Sequence, residues 1–460
     1  MTQQDALNLL MMGKNVYLTG QAGSGKTYIL NLYINYLKKH KVPVAITAST
    51  GIAATHLNGG TIHSWSGIGI KSHLTHNDIA KILGNENKRA KLLTAKVLII
   101  DEISMFHSYR LDMVNQICKL ARQDNRPFGG LQVILCGDFF QLPPINEQGL
   151  EKSGFAYKSE AWEELDLTVC YLDEQHRQLD DSFLKVLNDI RSQDVSEYTF
   201  EKLSTRLNKE FLEHIIPTKL YTHNADVDGI NNFELEKIDK PVHQYHMTTQ
   251  GNKELVDVLK KGCLAPEELL IKEGALVMFI KNNPAKGYIN GTLGKVQGFD
   301  TDGNPIVQTY DGKEIIAMPT SWKFEENETV LAEISQVPLR LAWAITVHKS
   351  QGMSLDAAEI DLSKSFAYGM GYVALSRVKS LEGIRLLGIN ATAFMVDNDV
   401  AKFDEVLKKL SHEATATLQQ LGENKIREIQ EDYLQSIIPK DIEKKNHESG
   451  IKELFNKFFG

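Results

Sequence analysis

No run in the 460 residues approaches the ~18 consecutive apolar residues of a membrane-spanning helix. The four cysteines, Cys118, Cys136, Cys170 and Cys263, are scattered, with no C-x-x-C pair among them. They read as buried, reduced thiols in a reducing compartment rather than as a disulfide frame or a metal ribbon. Positive charge is not in excess either, since the formal net charge is −8. That balance does not advertise nucleic acid, but a basic groove can be averaged away in a global sum. No internal repeat is evident. The first apolar strand begins by Val16, so the expectation is that no removable leader precedes the fold. What is present, 42% hydrophobic and 24% charged residues, is the composition of a soluble globular protein. Single cores stop growing at about 250–300 residues, so a chain of this length implies two or more domains.

The stretch that organises the rest is Gly20-Gln-Ala-Gly-Ser-Gly25-Lys26-Thr27. It satisfies G-x-x-x-x-G-K-[ST], the phosphate-binding P-loop. Val16, Tyr17 and Leu18 before it read as a buried strand. Ile29, Leu30, Tyr33, Ile34 and Leu37 after it recur at helical spacing. Glycines let the backbone turn its N–H groups inward, and a helix N-terminus adds partial positive charge toward β- and γ-phosphates. Lys26 would reach those phosphates and Thr27 would ligate Mg²⁺. With both flanks correct, this loop binds nucleoside triphosphate. Upstream, Gln3 carries an amide that both donates and accepts, which suits adenine, although a terminal glutamine taken alone is a solvated surface residue.

Three further strand ends bear polar residues. Val44–Thr47 runs into Ala48-Ser49-Thr50-Gly51-Ile52-Ala53-Ala54, small residues at the edge where open α/β sheets bind ligands. Gly59–Gly69 follows, with Thr61, His63, Ser64 and Trp65. Such a segment can line a single-strand groove, with Trp65 either available to a base or packed in the core. Lys96-Val-Leu-Ile-Ile-Asp101-Glu102 reads as a buried parallel strand that delivers two acids. Asp101 would hold Mg²⁺ with Thr27, and Glu102 would polarise the attacking water. Leu131–Cys136 is another buried strand, ending in Gly137-Asp138-Phe139-Phe140-Gln141-Leu142-Pro143-Pro144. Gln141 is placed there to sense the γ-phosphate, and the prolines make a rigid exit.

The expected organisation is a first α/β domain over 1–168, with an accessory excursion at about 57–78. A second α/β domain would occupy 169–297 and 338–395, a β-barrel insertion 298–337, and a polar helical segment 396–460. The insertion is read from short strand patterns and the turn pairs Asp302-Gly303 and Asp311-Gly312. Arg177 and Arg377 belong to the second domain. An arginine reaching a γ-phosphate across a cleft is worth ~10³–10⁵ in hydrolysis rate, and it couples chemistry to cleft closure.

Together, Gly20–Thr27, Asp101-Glu102-Ile-Ser-Met105, Gly137–Pro144, Val347-His348-Lys349-Ser350-Gln351-Gly352 and Ala374-Leu-Ser-Arg377 resemble the motifs of superfamily-one helicases. Thr346–Gly352 favours the RecD-like branch. Gly59–Ser64 and Arg126-Pro-Phe-Gly-Gly-Leu-Gln132 are similar to stretches of the Pif family of DNA helicases (petite integration frequency), over about 3–390. The resemblance implies an α/β fold of two RecA-like P-loop motor domains with a small SH3-like β-barrel inserted in the second. It implies an ATP- and Mg²⁺-dependent motor moving 5′-to-3′ on single-stranded DNA and unwinding duplexes, forks, G-quadruplexes and RNA–DNA hybrids as a monomer. Nucleotide contacts carry over to Gln3, Gly20, Gly23, Ser24, Gly25, Lys26, Thr27, Asp101, Gln351 and Gly352. Catalytic roles carry to Lys26, Glu102, Gln141, Arg177 and Arg377. Strand contacts carry to Thr50, Gly51, Ala53, Thr61, His63, Ser64, Pro143, His348 and Lys349. The short N-terminus lacks the long extension of eukaryotic members and points to a bacterial or phage protein working on cytoplasmic, nucleoid-associated DNA, without a membrane. A RecD-type recombination motor within a complex, and a nucleotide-switched DNA clamp that does not unwind, are the alternatives. A metal-dependent nuclease is disfavoured, because no further carboxylate cluster appears.

Overall fold

The computed structural model describes residues 1–438 apart from 51–52, 55–56, 58, 70, 145–153, 175–179, 212–216, 264, 282, 289–291, 310–311, 327–328, 354 and 356. Arg177 and Gly51 therefore lie outside the described residues.

Apolar runs too short for helices make the first sheet. Its six strands lie in the order Gly60–Thr61, Val44–Ala48, Val97–Asp101, Gln132–Cys136, Val16–Gly20 and Thr168–Leu172, all parallel. Every residue of Val16–Gly20, Val97–Asp101 and Gln132–Cys136 is buried, as a strand covered by helices on both faces requires. The parallel register places Gly20, Ala48, Asp101 and Cys136 at one edge of the sheet, where the polar turns begin. Cys118, Cys136 and Cys170 are buried free thiols and Cys263 is half-buried.

The strand Thr168–Leu172 corrects the expected boundary at 168/169. It pairs along its length with Val16–Gly20 and closes the first sheet rather than opening the second. Its apolar run fits either sheet; the hydrogen-bond partner decides.

The second sheet has four parallel strands in the order Ala344–Thr346, Thr218–Tyr221, Ala358–Leu362 and Ile384–Ile389. Between its first two strands in sequence runs a long antiparallel excursion. Five strands, among them Leu276–Phe279, Leu293–Phe299 and Leu339–Leu341, form one sheet, and Thr248–Gly251, Thr320–Glu326 and Thr329–Gln336 form another. Its core is Val277, Phe279, Val296, Val307 and Leu339. The strands reach from His243–His246 to Leu339–Leu341, so the expected limits 298–337 are too narrow. Gly298 itself sits in a paired strand. Leu276-Val-Met-Phe279 is buried on every position, which makes it read like a strand of a parallel core.

Among the described residues the C-terminal segment is helical over the 40 residues Asn398–Ile437, with a kink at Gly422 (φ 69°) that divides it in two. Asp397 caps it, accepting from the amides of Asp399 and Val400. It is less polar in role than its composition suggests. Leu418, Ile426 and Ile437 are buried in the core that also holds Leu9, Leu10 and Ile34 of the first domain. The Tyr433 and Tyr33 hydroxyls both donate to Gln132 Oε1, at 2.9 and 2.7 Å. The helix thus leaves the second sheet and returns across the first. Among the described residues no helix is long and apolar enough to cross a membrane.

Candidate functional site: a nucleotide cleft and its strand-facing side

The P-loop joins the buried strand Val16–Gly20 to the helix Lys26–Lys39. Gly23 and Gly25 sit at φ 91° and 88°, a left-handed backbone that a side chain would strain. Gly25 is the N-cap, so the first amides of the helix open toward the loop. Ile29, Leu30, Tyr33, Ile34 and Leu37 are its buried face, as their spacing predicts. Lys26 Nζ donates to the carbonyls of Gly20 (2.8 Å) and Gln21 (2.9 Å). Burial pulls the ammonium pKa down, against the opposing charge of Asp138. Gln3 is brought to the same loop: its Nε2 donates to the carbonyl of Ser24 at 3.2 Å.

Asp101 ends its strand buried, and burial together with the Glu102 carboxylate pushes its pKa up to about 7. The Glu102 amide donates to Asp101 Oδ1 at 2.9 Å. Glu102 itself is held at φ 52°, ψ 45°, a conformation that costs of order 1–3 kcal/mol outside glycine and marks functional positions. Ser49 Oγ secures it by donating to the Glu102 carbonyl at 2.8 Å. From the second domain, Gln351 Nε2 donates to Glu102 Oε2 at 2.8 Å. Glu102 is therefore in contact with both domains.

Three buried polar atoms around this cleft, Ser24 Oγ, Gln141 Oε1 and Gln351 Oε1, have no hydrogen-bond partner among the described residues. A buried acceptor or hydroxyl without a partner costs about 1–3 kcal/mol, a deficit that a polar ligand relieves. The residues thus fit a nucleoside triphosphate. They also fit Mg²⁺, a hard cation that takes one or two carboxylates plus phosphate oxygens; Asp101 and the exposed Thr27 supply that donor set.

Arg377 is buried, its guanidinium donating to the carbonyls of Val373 (2.9 Å) and Met353 (3.4 Å) and to Ser376 Oγ (2.9 Å). To reach a phosphate across the cleft it must give up bonds inside its own domain. Gly352 lies next to Gln351 in a turn at φ 79°.

The strand-contact candidates fall in two groups. Thr50 and Thr61 each cap a turn, accepting from the amides of Ala53 and Ser64 at 3.2 Å. His63 packs edge-on to Phe106, Ser64 is exposed, and Trp65 is partly buried against the main core. In the second group, Pro143 and His348 line a cleft of about 570 Å³ between the two domains, together with Phe366 and Tyr368. Burial lowers the His348 pKa. Lys349 donates to Asn224 Oδ1 at 3.2 Å; burial and the nearby Arg340 bring its pKa down to about 8.

Sequence reading missed the residues that lock this site. Arg191 sits in the amphipathic helix Asp181–Ser192, where a buried arginine has no local signal. Asp138 lies inside a motif stretch and Tyr372 two residues before Ala374–Arg377, yet nothing in those stretches says that they touch.

A family model for PIF1-like helicases matches 3–200, and one for the 2B domain of the DNA helicase Pif1 matches 254–299. The chain is 43% identical to the ATP-dependent DNA helicase Pif1 of Psychrobacter over 94% of its length and 75% of that relative's. It is 35% identical to the human ATP-dependent DNA helicase PIF1 over 88% of its length, spanning 63% of the human protein. Among solved structures, Pif1 helicase from Candida albicans superposes with a TM-score of 0.81 at 35% identity, covering 88% of this chain and 98% of that one. Bacteroides Pif1 in complex with ADP-AlF3 and single-stranded DNA superposes at 0.72 and 31% identity, covering 88% and 96%. The two parallel sheets are the RecA-like domains of these enzymes. By identity, coverage and fold, the chain belongs to the Pif1 family of ATP-dependent DNA helicases.

Proposed function

We propose that this chain is a 5′-to-3′ motor on single-stranded DNA, driven by Mg²⁺-dependent ATP hydrolysis, that unwinds duplexes, forks, G-quadruplexes and RNA–DNA hybrids as a monomer. The observation that carries it is the Gln351–Glu102 hydrogen bond, which makes the hydrolytic carboxylate answer to the separation of the two domains. Lys26 and the loop amides of Gly23 to Thr27 bear on the phosphates, with Gln3 on the base. Asp101 and Thr27 would hold the metal, which would supply Lewis-acid stabilisation of charge on the phosphates. Glu102 takes the proton of the attacking water and Gln141 orients that water. Arg177 and Arg377 supply positive charge from the second domain, which needs cleft closure to arrive.

The strand would lie along Thr50, Gly51, Ala53, Thr61, His63 and Ser64 of the first domain and Pro143, His348 and Lys349 at the domain junction. Hydroxyls and amides there suit phosphates, and the rings of the junction cleft suit bases. The complex of Bacteroides Pif1 with a nucleotide analogue and single-stranded DNA supports both ligands. The Psychrobacter relative supports a bacterial setting, with the protein acting on DNA in the cytoplasm. Strand displacement from 5′-tailed and 3′-tailed duplexes, with and without ATP, tests the reading. Unwinding confined to 5′ tails and to ATP is expected. Displacement only from 3′ tails overturns the direction, and ATP turnover without displacement turns the reading to a switched clamp.

A further inference from the structure

The P-loop amide of Ala22 is buried and donates to the Tyr372 hydroxyl at 3.0 Å. Tyr372 belongs to the helix Met370–Ser376 of the second domain. Its hydroxyl is fully used: it accepts from Ala22 and from Arg191 Nη1 (3.2 Å) and donates to Asp138 Oδ2 (3.3 Å). Arg191 Nη1 also donates to Asp138 Oδ2 at 2.8 Å. On its other side, Arg191 Nη2 donates to Asp404 Oδ1 (3.2 Å) and the Tyr171 hydroxyl (3.0 Å). Asp404 lies on the C-terminal helix and Asp138 at the end of a first-sheet strand. One buried guanidinium therefore joins the domain that carries the P-loop to the helix that crosses its back.

The contact is close as well as polar. At Gly369, which caps the helix of Tyr372, a Cβ would lie 2.5 Å from the Phe140 carbonyl and 2.8 Å from that of Gln141. No other residue permits that approach to the backbone of the water-orienting glutamine. A buried ion pair is a poor source of stability, because desolvation offsets its attraction, but it holds a single geometry. When the domains part, Tyr372 takes its hydroxyl with it and the Ala22 amide loses its acceptor. The shape of the P-loop is then a function of domain closure.

We infer that Tyr372 is a positioning residue for ATP hydrolysis, holding the P-loop from the second domain, and that the Asp138–Arg191–Asp404 bridge makes the C-terminal helix part of this clamp. The inference rests on the chain being the ATP-driven motor proposed above. The test uses the full chain: steady-state ATPase with saturating oligo(dT), and thermal melting, for wild type, Tyr372→Phe and Asp404→Asn. Tyr372→Phe removes one hydroxyl and keeps the ring. It should lower kcat about tenfold, the rate equivalent of one buried hydrogen bond, with KM for ATP within about twofold and Tm within about 2 °C. Asp404→Asn should lower kcat in the same direction without a matching change in KM. A wild-type kcat in Tyr372→Phe overturns the inference while the motor reading stands. If Tyr372→Phe melts far below wild type, Asp404→Asn decides: at unchanged melting, a wild-type kcat there also overturns it. A wild type without any ATPase overturns both.

Discussion

Gln351 donates a 2.8 Å hydrogen bond to Glu102 from the opposite domain, so the acid proposed to serve the attacking water is held by a residue of the other sheet. Glu102 also sits in a left-handed backbone conformation, secured by Ser49. Such a residue is set for orientation at the expense of local stability. On the proposed reading hydrolysis and domain motion meet in that one bond, and the consequences can be measured.

Replacing Glu102 with Gln keeps the side-chain shape and removes the base. ATP turnover should fall by about 10²–10⁴-fold while nucleotide binding persists, because the proposed metal ligands Asp101 and Thr27 are untouched. Fluorescent-nucleotide titration beside an ATPase assay checks this. Equal loss of binding would mean that the roles of the two acids are misassigned.

Lys26→Ala removes the charge that bears on the phosphates, and no other side chain of the loop replaces it. ATPase and unwinding should both drop below about 1% of wild type. Residual ATP-driven strand displacement in a gel assay would contradict the assignment.

Arg377 is committed to bonds within the second domain, so the isolated protein should hydrolyse slowly. Single-stranded DNA bridging both domains should raise kcat on the order of 10²-fold. DNA affinity should fall steeply with salt as phosphate contacts release counterions. An ATPase rate indifferent to saturating oligonucleotide would remove the coupling argument.

Lys349 titrates at about 8, because burial and Arg340 disfavour its charge. A DNA phosphate beside it favours the ammonium form, so binding takes up a proton. Affinity for oligo(dT) should therefore weaken as pH rises through about 8, measured between about pH 7 and about pH 9. Lys349→Met should bind more weakly and lose that slope. An identical slope in the variant places the titration elsewhere.

Tyr433 on the C-terminal helix donates to Gln132, which in turn donates to the carbonyls of Leu10 and Lys14. Truncating Tyr433 to Ala should lower stability by about 2–4 kcal/mol, through lost ring packing and the loss of a donor to Gln132 Oε1. Denaturant melts read this directly; an unchanged midpoint would mean that the helix does not clasp the first domain in solution.

The geometry of the site was legible wherever its cause is local. A P-loop needs glycines at fixed offsets between a strand and a helix, and Gly20, Gly25 and Lys26 sit at them. Asp101-Glu102 and Gln141 follow apolar runs that can only be buried strands, and a parallel register brings strand ends to one edge. What the sequence could not reveal was partnership at long range. Asp138, Arg191, Tyr372 and Asp404 come from four elements and are joined only by packing, so no window of sequence contains their relation. The strand Thr168–Leu172 could serve either sheet until its hydrogen bonds chose one. Leu418, Ile426 and Ile437 are thinly spread along a charged helix, and only the first domain's open face makes them a buried stripe. Local geometry is encoded by side-chain type and spacing; which buried charge meets which is decided when the domains close around it.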